Sequence, residues 1–555
     1  MSIQLRTTLF GQITRLISRG KLFRYPEDLN SSPWRHSIQH DTTAATNSTE
    51  IEHNAHGDTL KQVENGSDIN LVDWYSPEDP EVCFGEHRDE KYLLTQCQNP
   101  RNWSNGWKRF IVLELCILNF AVYMASSIYV PAEKDIMSEF GVSETVATLG
   151  LSLFTLGYGI GPMLWSPMSE IPQLGRSRIY VYTLLAFILF QLPVGFANNM
   201  AVFLIFRFVT GFCGSPCLST GGGTIADIYD PVTAASAVCI WASFGIGGPV
   251  FGPIIGGYLA PAKGWRWTVW VFTWLCSLVF IIFFFFLPET SAANILYERA
   301  KRIRKATGDN RFKSKSEIDA ANHTKKDHLM TLGRAFTLTF TEPIVFLMHL
   351  YTALVYGLLF IWFESFPFAF GGVYGFSSGQ QGLAFLGIFV GALISVFCFI
   401  LWVNYGVIPM VAKPNFKPEL VLPPTFVGSI ALPICLFWYG WSAREGVHWI
   451  VPIIGTSLFS VGVVTMFNSI LNYLGIVYTD YAASIFAGNA LFRASFGAVF
   501  PLFVSCLQDL RRQHKLIETA SRHVHYSANL ELVPGTLCLV VLQYALCRSH
   551  SYSTV

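Results

Sequence analysis

The chain has 555 residues, of which 52% are hydrophobic, 15% aromatic and 14% charged, against about 25% charged in soluble proteins. Its 46 Phe and 15 Trp exceed what a soluble surface could hide, and mean hydropathy is +0.40. A formal net charge of +1 gives no reason to expect a nucleic-acid partner. Collagenous, disulfide-rich and wholly disordered chains are excluded as well. What remains is an all-α polytopic membrane protein.

Residues 1–108 are polar and read as a cytoplasmic tail, largely disordered. Its first part is basic, with Arg6, Arg15, Arg19, Lys21 and Arg24 and no acid before Glu27. Such a segment can form an amphipathic helix on an anionic leaflet. Residues 40–90 are rich in Asp, Glu, Asn, Ser and Thr, a composition of disorder.

A span needs about 20 residues to cross the hydrocarbon core. Apolar runs of that kind lie near 110–130, 146–167, 179–197, 201–222, 235–259 and 268–287. A basic stretch follows, from Arg299 through Lys305 and Arg311 to Arg334, with eleven Lys and Arg. Further runs lie near 344–368, 381–402, 424–442, 447–473 and 481–506, and a weak twelfth near 532–547. The division is a six-helix half at 109–288, a cytoplasmic linker at 289–343, a half with five clear helices at 344–506, and an atypical tail at 507–555. Lys108, Arg109, Arg176, Arg178 and the linker share one side if every run crosses once. The opposite loops hold few basic residues: Lys134, Lys263, Arg266 and Arg444. The positive-inside rule then places the N-terminus in the cytoplasm.

Ten of the twelve cysteines lie in or beside apolar runs. They read as free thiols, with no disulfide framework and no metal site. Cys213 and Cys217 are four apart without a His or carboxylate beside them, which favours helix packing over a metal.

Four segments carry chemistry. The second run ends GPMLWSPMSEIPQLGRSRIY, with Gly161, Glu170, Gly175, Arg176 and Arg178. An acid beside two arginines at a membrane edge can form a state-dependent ion-pair latch; plain positive-inside topology is the alternative. The fourth run contains Arg207, with Gly211 and Ser215 at i+4 and i+8. A buried arginine in a bilayer costs at least about 2.5–3.5 kcal/mol, so it must find a partner or snorkel to the interface. The fifth run contains GIGGPVFGPIIGGY. Gly248, Gly252 and Gly256 make a small-residue stripe for close helix contact, and Pro249 and Pro253 add a kink. The seventh run places the carboxylate of Glu364 on one face with Tyr356 and Phe360. A proton carrier, a cation contact and a structural hydrogen bond all fit it. Glu114, Asp480 and Arg493 are further charges in or beside runs, and Glu114 fits an interfacial position.

The order Gly161–Arg178, Arg207–Gly211, Gly248–Gly257 resembles three signature motifs of the major facilitator superfamily, the third being that of its proton-driven antiporters. The finer text is similar to the twelve-span fungal drug:proton antiporters of the benomyl and azole resistance group. It does so at GQITRLISRGKLFRYPED, SSIYVPAEKDI, GWRW, LPETS, FESFP, PELVLP and DYAASIFAGNALFRASFGAVFPLF. The resemblance implies a major facilitator fold of two six-helix halves, with alternating access to a midplane cavity. It implies proton-driven export of small amphiphilic drugs by a plasma-membrane monomer with no cofactor. It assigns proton coupling to Arg207 and, with the seventh run, Glu364. Gly248, Gly252, Pro253, Gly256 and Gly257 would form the antiporter motif. Gly161, Glu170, Gly175, Arg176 and Arg178 would form the cytoplasmic gate. Tyr123, Trp241, Phe244, Tyr356, Trp362 and Tyr473 would line the cavity, since aromatic walls suit varied apolar substrates.

The tail after Phe503 departs from the family pattern, as a frameshifted or mis-spliced gene model would, and leaves the twelfth helix doubtful. Alternatives remain: export of a native metabolite such as a polyamine or fungal toxin, or a receptor or inactive paralogue. No phosphate-binding glycine loop, nucleophile elbow or metal cluster is present in the sequence, so neither an enzyme nor ATP hydrolysis is expected.

Overall fold

The computed structural model describes residues 4–18, 21–23, 25, 70–72, 99–322, 337–411, 417–478 and 482–520. The weak run near 532–547 and most of the N-terminal tail lie outside them.

Eleven helices or helix pairs among the described residues are long and apolar enough to cross a membrane. The first is α2 (Asn105–Ser127), continued after a short 3-10 turn by α3 (Glu133–Phe140). Then come α4 (Glu144–Glu170), α5 (Arg176–Gly195), and α6 (Met200–Gly214) with α7 (Pro216–Ile228). The N-terminal half closes with α8 (Pro231–Lys263) and α9 (Trp265–Phe286). After the linker come α12 (Pro343–Phe366), α13 (Ser378–Ala384) with α14 (Leu386–Trp402), α15 (Pro424–Ser442), α16 (Ile450–Val477) and α17 (Ala482–Ala520). Mostly apolar windows satisfy the backbone internally as helix, the one open-chain form that can cross lipid.

Further elements include α1 (Leu9–Ile17), α10 (Ala292–Thr307), α11 (Lys315–Asn322) and two short strands. The strands β1 (Asn70–Val72) and β2 (Phe312–Ser314) pair in parallel, with Asn70 opposite Phe312. β1 falls within residues 40–90, the tract whose composition reads as largely disordered. Val72 is buried and packs with Ala300, Ile303 and Phe312, so an apolar residue in a polar tract found a core in the linker.

The described residues form two compact units. The smaller draws on Met1–Ser104, Glu170–Arg178 and Phe284–His328. The larger draws on Asn105–Ser169, Ile179–Phe283 and Leu329–Val555. In the smaller unit, α10 starts on a Ser291 side-chain cap and stops at Gly308, whose φ of 74° is left-handed. In the larger unit, packing is close wherever glycines stand. Gly211 of α6 lies on the Phe154 backbone of α4, and Gly157 of α4 lies on the backbone of Phe208 and Phe212. No Cβ fits at either place, so the glycines set the separation of these helices.

Candidate functional site

Arg207 points inward from α6 and is 3% exposed. It does not snorkel. Its Nε donates to the Gly150 carbonyl at 3.1 Å and its Nη1 to the Ala125 carbonyl at 3.2 Å. The guanidinium lies over the rings of Tyr129 and Phe154, 5.0 and 4.8 Å from their centroids. Two carbonyls and two aromatic faces therefore replace water around the charge, while Nη2 has no hydrogen-bond partner among the described residues.

A carboxylate absent from the sequence-based site completes this corner. Glu133, at the start of α3, is buried and interacts electrostatically with Arg207, Glu144 and Glu364. Glu364 of α12 is also buried, and among the described residues one oxygen of each acid, Oε1, has no hydrogen-bond partner. Glu133 and Glu144 come from the N-terminal half and Glu364 from the C-terminal half. Glu133 stands in the sequence within PAEKD, beside Lys134 and Asp135, where nothing local sets it apart from other loop charges. Glu114 is likewise buried, at 2% exposure, with neither oxygen hydrogen-bonded.

The second cluster is aromatic. Tyr123 of α2 packs edge-on against Tyr158 of α4, with centroids 5.6 Å apart. The Tyr158 hydroxyl meets that of Tyr356 on α12. Arg493 of α17 lies over the Tyr356 ring at 5.3 Å and the Phe467 ring at 4.5 Å, and it interacts electrostatically with Tyr123. A small cleft of about 20 Å³ lies beside Tyr356, Arg493, Tyr351, Val355 and Phe467. Tyr158 and Arg493 were not among the expected cavity residues. Arg493 read as one charge in a run, and only the packing of α17 on α12 reveals its aromatic partners.

The other expected cavity residues disperse. Trp241 is buried against Gly221, and its carbonyl accepts a bond from Asn119 Nδ2 at 2.9 Å. Trp362 packs edge-on against Tyr439 and Phe459, at 4.7 and 5.7 Å, within the C-terminal half. Tyr473 is buried and interacts electrostatically with Glu419 and Tyr478. Phe244 is exposed and makes none of the tyrosine–arginine contacts.

The proline–glycine segment of α8 has two working faces. Gly248 lies on the backbone at Phe120 and Met124, Gly252 on Ser127 and Ile128, and Gly256 on Ile128, all within the N-terminal half. Gly257 instead lies on the Ser378 backbone, and the Pro253 carbonyl faces Gly382, both on α13 of the C-terminal half. At the other end of α8, Cys239 packs with Phe399 and Val403 of the C-terminal half. The two halves thus meet at both ends of this helix.

The residues of the expected gate fall in two places. Gly161 lies in α4 against Ser215 and the Phe212 carbonyl. Glu170 ends α4 and is exposed. Gly175 has φ 72° and stands against the Glu289 carboxylate and Asn294, so a side chain would meet both strain and a clash. Glu289 is buried and accepts from the backbone N–H of Arg176 at 3.0 Å, Ser177 at 3.2 Å, Thr290 at 3.0 Å and Ser291 at 2.9 Å. It thereby caps the N-terminus of α5, where the helix dipole favours an anion. Arg178 pairs with Glu298 of α10 at 3.1 Å and donates to the Gln173 carbonyl at 3.0 Å. The pairing acid for Arg178 comes from the linker. Glu289 lies in the LPETS segment, which the sequence marked only as a match.

Comparison with known proteins follows the same lines. Residues 115–501 match the Major Facilitator Superfamily. Transporter mfs1 of Schizosaccharomyces pombe is 37% identical over 511 residues, 91% of each chain. The cycloheximide resistance protein of Candida maltosa is 34% identical over 518 residues, also 91% of each chain. Fluconazole resistance protein 1 of Saccharomyces cerevisiae is 36% identical over 483 residues, 87% of this chain and 82% of that one. Among solved structures, the proton:xylose symporter XylE shares the fold, with a TM-score of 0.56 at 14% identity over 80% of this chain and 96% of that one. The chain belongs to the major facilitator superfamily.

Proposed function

We propose that this transporter is a proton-coupled antiporter that exports small amphiphilic drugs by alternating access. The observation that carries the reading is the buried group of Arg207, Glu133 and Glu364, drawn from both halves. A proton on one of these acids changes the charge balance between the halves, and charge balance biases which end of the interface opens. The relatives named for resistance to cycloheximide and fluconazole support drugs as cargo. The Tyr123–Tyr158–Tyr356–Arg493 cluster is our candidate substrate contact, since aromatic faces accept varied apolar and cationic groups.

Opening toward the cytoplasm must separate the C-terminal half from α8 at one end, and opening outward must separate it at the other. A proton crossing about 100 mV supplies about 2.3 kcal/mol. Each unit of pH difference adds about 1.4 kcal/mol. Together they sustain a substrate gradient of roughly a few hundredfold per proton. We place the chain in the plasma membrane as a monomer, with the N-terminus and linker cytoplasmic by their Lys and Arg.

The test is efflux of a fluorescent or radiolabelled azole from cells expressing the chain, with and without a protonophore. Protonophore-sensitive efflux supports the reading. Efflux indifferent to the protonophore, or none from a chain that reaches the plasma membrane, refutes it.

A further inference from the structure

The helix α1 carries Leu9, Phe10, Ile13, Leu16 and Ile17 at i, i+1, i+4, i+7 and i+8, the spacing of one helical face. Among the described residues, protein covers the first turn of that face. Leu9 is buried. Phe10 packs on Phe284 and Phe285, with centroids 6.3 and 4.8 Å apart, in the last turn of the membrane-spanning α9. Beyond it Ile13 is 39% exposed, Leu16 79% and Ile17 77%, and Leu22 in the following bend is 56% exposed.

What covers this half-stripe follows from where it starts. On α9, Leu278, Ile281 and Phe285 are exposed at helical spacing, as on a face turned to acyl chains. Phe285, itself 37% exposed, also seats Phe10. The uncovered turns of α1 therefore start beside the exposed end of a membrane-spanning helix, where acyl chains are the apolar phase at hand. The charge agrees. Residues 4–25 hold Arg6, Arg15, Arg19, Lys21 and Arg24 and no acid. Arg6, Arg15 and Arg302 gather on the ring of Tyr25, at 5.9, 4.5 and 3.9 Å, which holds positive charge on the segment. On the polar side, Gln12 Oε1 accepts from Arg178 Nε at 3.4 Å and Nη2 at 3.2 Å.

We propose that α1 is an interfacial helix that docks on an anionic phospholipid leaflet, and that Gln12 ties this docking to Arg178. Ile13, Leu16, Ile17 and Leu22 enter the headgroup–acyl boundary, while the basic residues meet lipid phosphates. Arg178 also holds Glu298 and the Gln173 carbonyl. Anionic lipid thus orders the loop between α4 and α5.

The experiment is hydrogen–deuterium exchange on the full chain in nanodiscs of phosphatidylcholine alone, or with phosphatidylserine added. Residues 9–17 should exchange about tenfold more slowly with phosphatidylserine. The double variant Leu16→Asp with Ile17→Asp, at two exposed positions, should lose that difference. Gln12→Ala should keep the slow exchange of 9–17 but speed that of 173–178. Equal exchange in both lipids, or slow exchange retained in the Asp variant, overturns the docking and points to a protein partner for the stripe. Unchanged exchange at 173–178 in Gln12→Ala overturns the tie to Arg178. Exchange reports this whether or not the chain moves a drug.

Discussion

The hydroxyls of Tyr158 and Tyr356 meet across the boundary between the two halves, and Arg493 lies over the second ring. Either hydroxyl can donate, so the pair holds the halves together without a fixed charge. Removing one hydroxyl removes a contact that forms only when the halves are close there. Tyr158→Phe and Tyr356→Phe should each change drug efflux by about three- to tenfold, with little loss of folded protein, because the net value of one such bond is about 0.5–1.5 kcal/mol. Arg493→Ala should be more severe. Efflux rates normalised to surface protein check this; unchanged rates in all three variants would remove the cluster from the transport path.

Arg207 makes its two hydrogen bonds from separate guanidinium nitrogens while stacking between two rings. Lysine has one point-like ammonium and no planar face. Arg207→Lys should therefore lose most efflux, about tenfold or more, and Arg207→Ala essentially all of it. Both should reach the membrane, which surface labelling would report. Normal protonophore-sensitive efflux in Arg207→Lys would show that its charge alone suffices.

Glu133 and Glu364 belong to opposite halves and interact electrostatically. If a proton is carried there, its loss must accompany each transport cycle. Glu364→Gln is permanently neutral and should abolish the dependence of efflux on external pH, and Glu133→Gln should weaken it. Initial rates in vesicles over a series of external pH values decide the matter. A full wild-type pH response in both variants would exclude these acids as carriers.

The two faces of α8 predict opposite failures. Gly252→Val drives a side chain into Ser127 and Ile128 of the same half, where overpacking costs about 1–3 kcal/mol. Folded yield and thermal stability should fall. Gly257→Val instead presses on the Ser378 backbone of the other half. The halves can separate there, so folding should survive while efflux changes. Detergent-solubilised yield and melting temperature, read beside efflux, separate the two cases.

In the linker, Glu317 accepts from Arg304 Nη1 at 2.9 Å and Nη2 at 2.8 Å, and from the Ser314 N–H at 3.0 Å. Burial works against its ionisation, but Arg304 and Ser314 outweigh that and hold the carboxyl below its usual range. A depressed value means stability that is present above the unfolded value of about 4.3 and lost as pH falls through the folded one. Acid should loosen residues 312–322 in the wild-type chain, and Glu317→Gln should be loose already at neutral pH. Limited proteolysis of the linker across this range checks the sign.

Hydropathy alone located the eleven runs, because a bilayer demands about 20 apolar residues at a stretch. Glycine spacing likewise announced close packing on α8, because a missing Cβ is a local property. It could not say which neighbour each glycine met. Gly252 and Gly257 are five residues apart, and that angular step sends one to α2 and the other to α13.

Partners distant in sequence were beyond reach for the same reason. Arg178 pairs with Glu298, 120 residues away and outside the Gly161–Arg178 segment that the sequence singled out. Glu133 and Arg493 carried no local mark, since burial and neighbours make a charge functional and the chain's order does not state them. Composition and span lengths belong to the sequence by itself, because each depends on residues within one segment. The acid–arginine corner, the tyrosine contact and the α1 seat on α9 were decided only by tertiary packing, because each joins residues from helices that meet nowhere but in the fold.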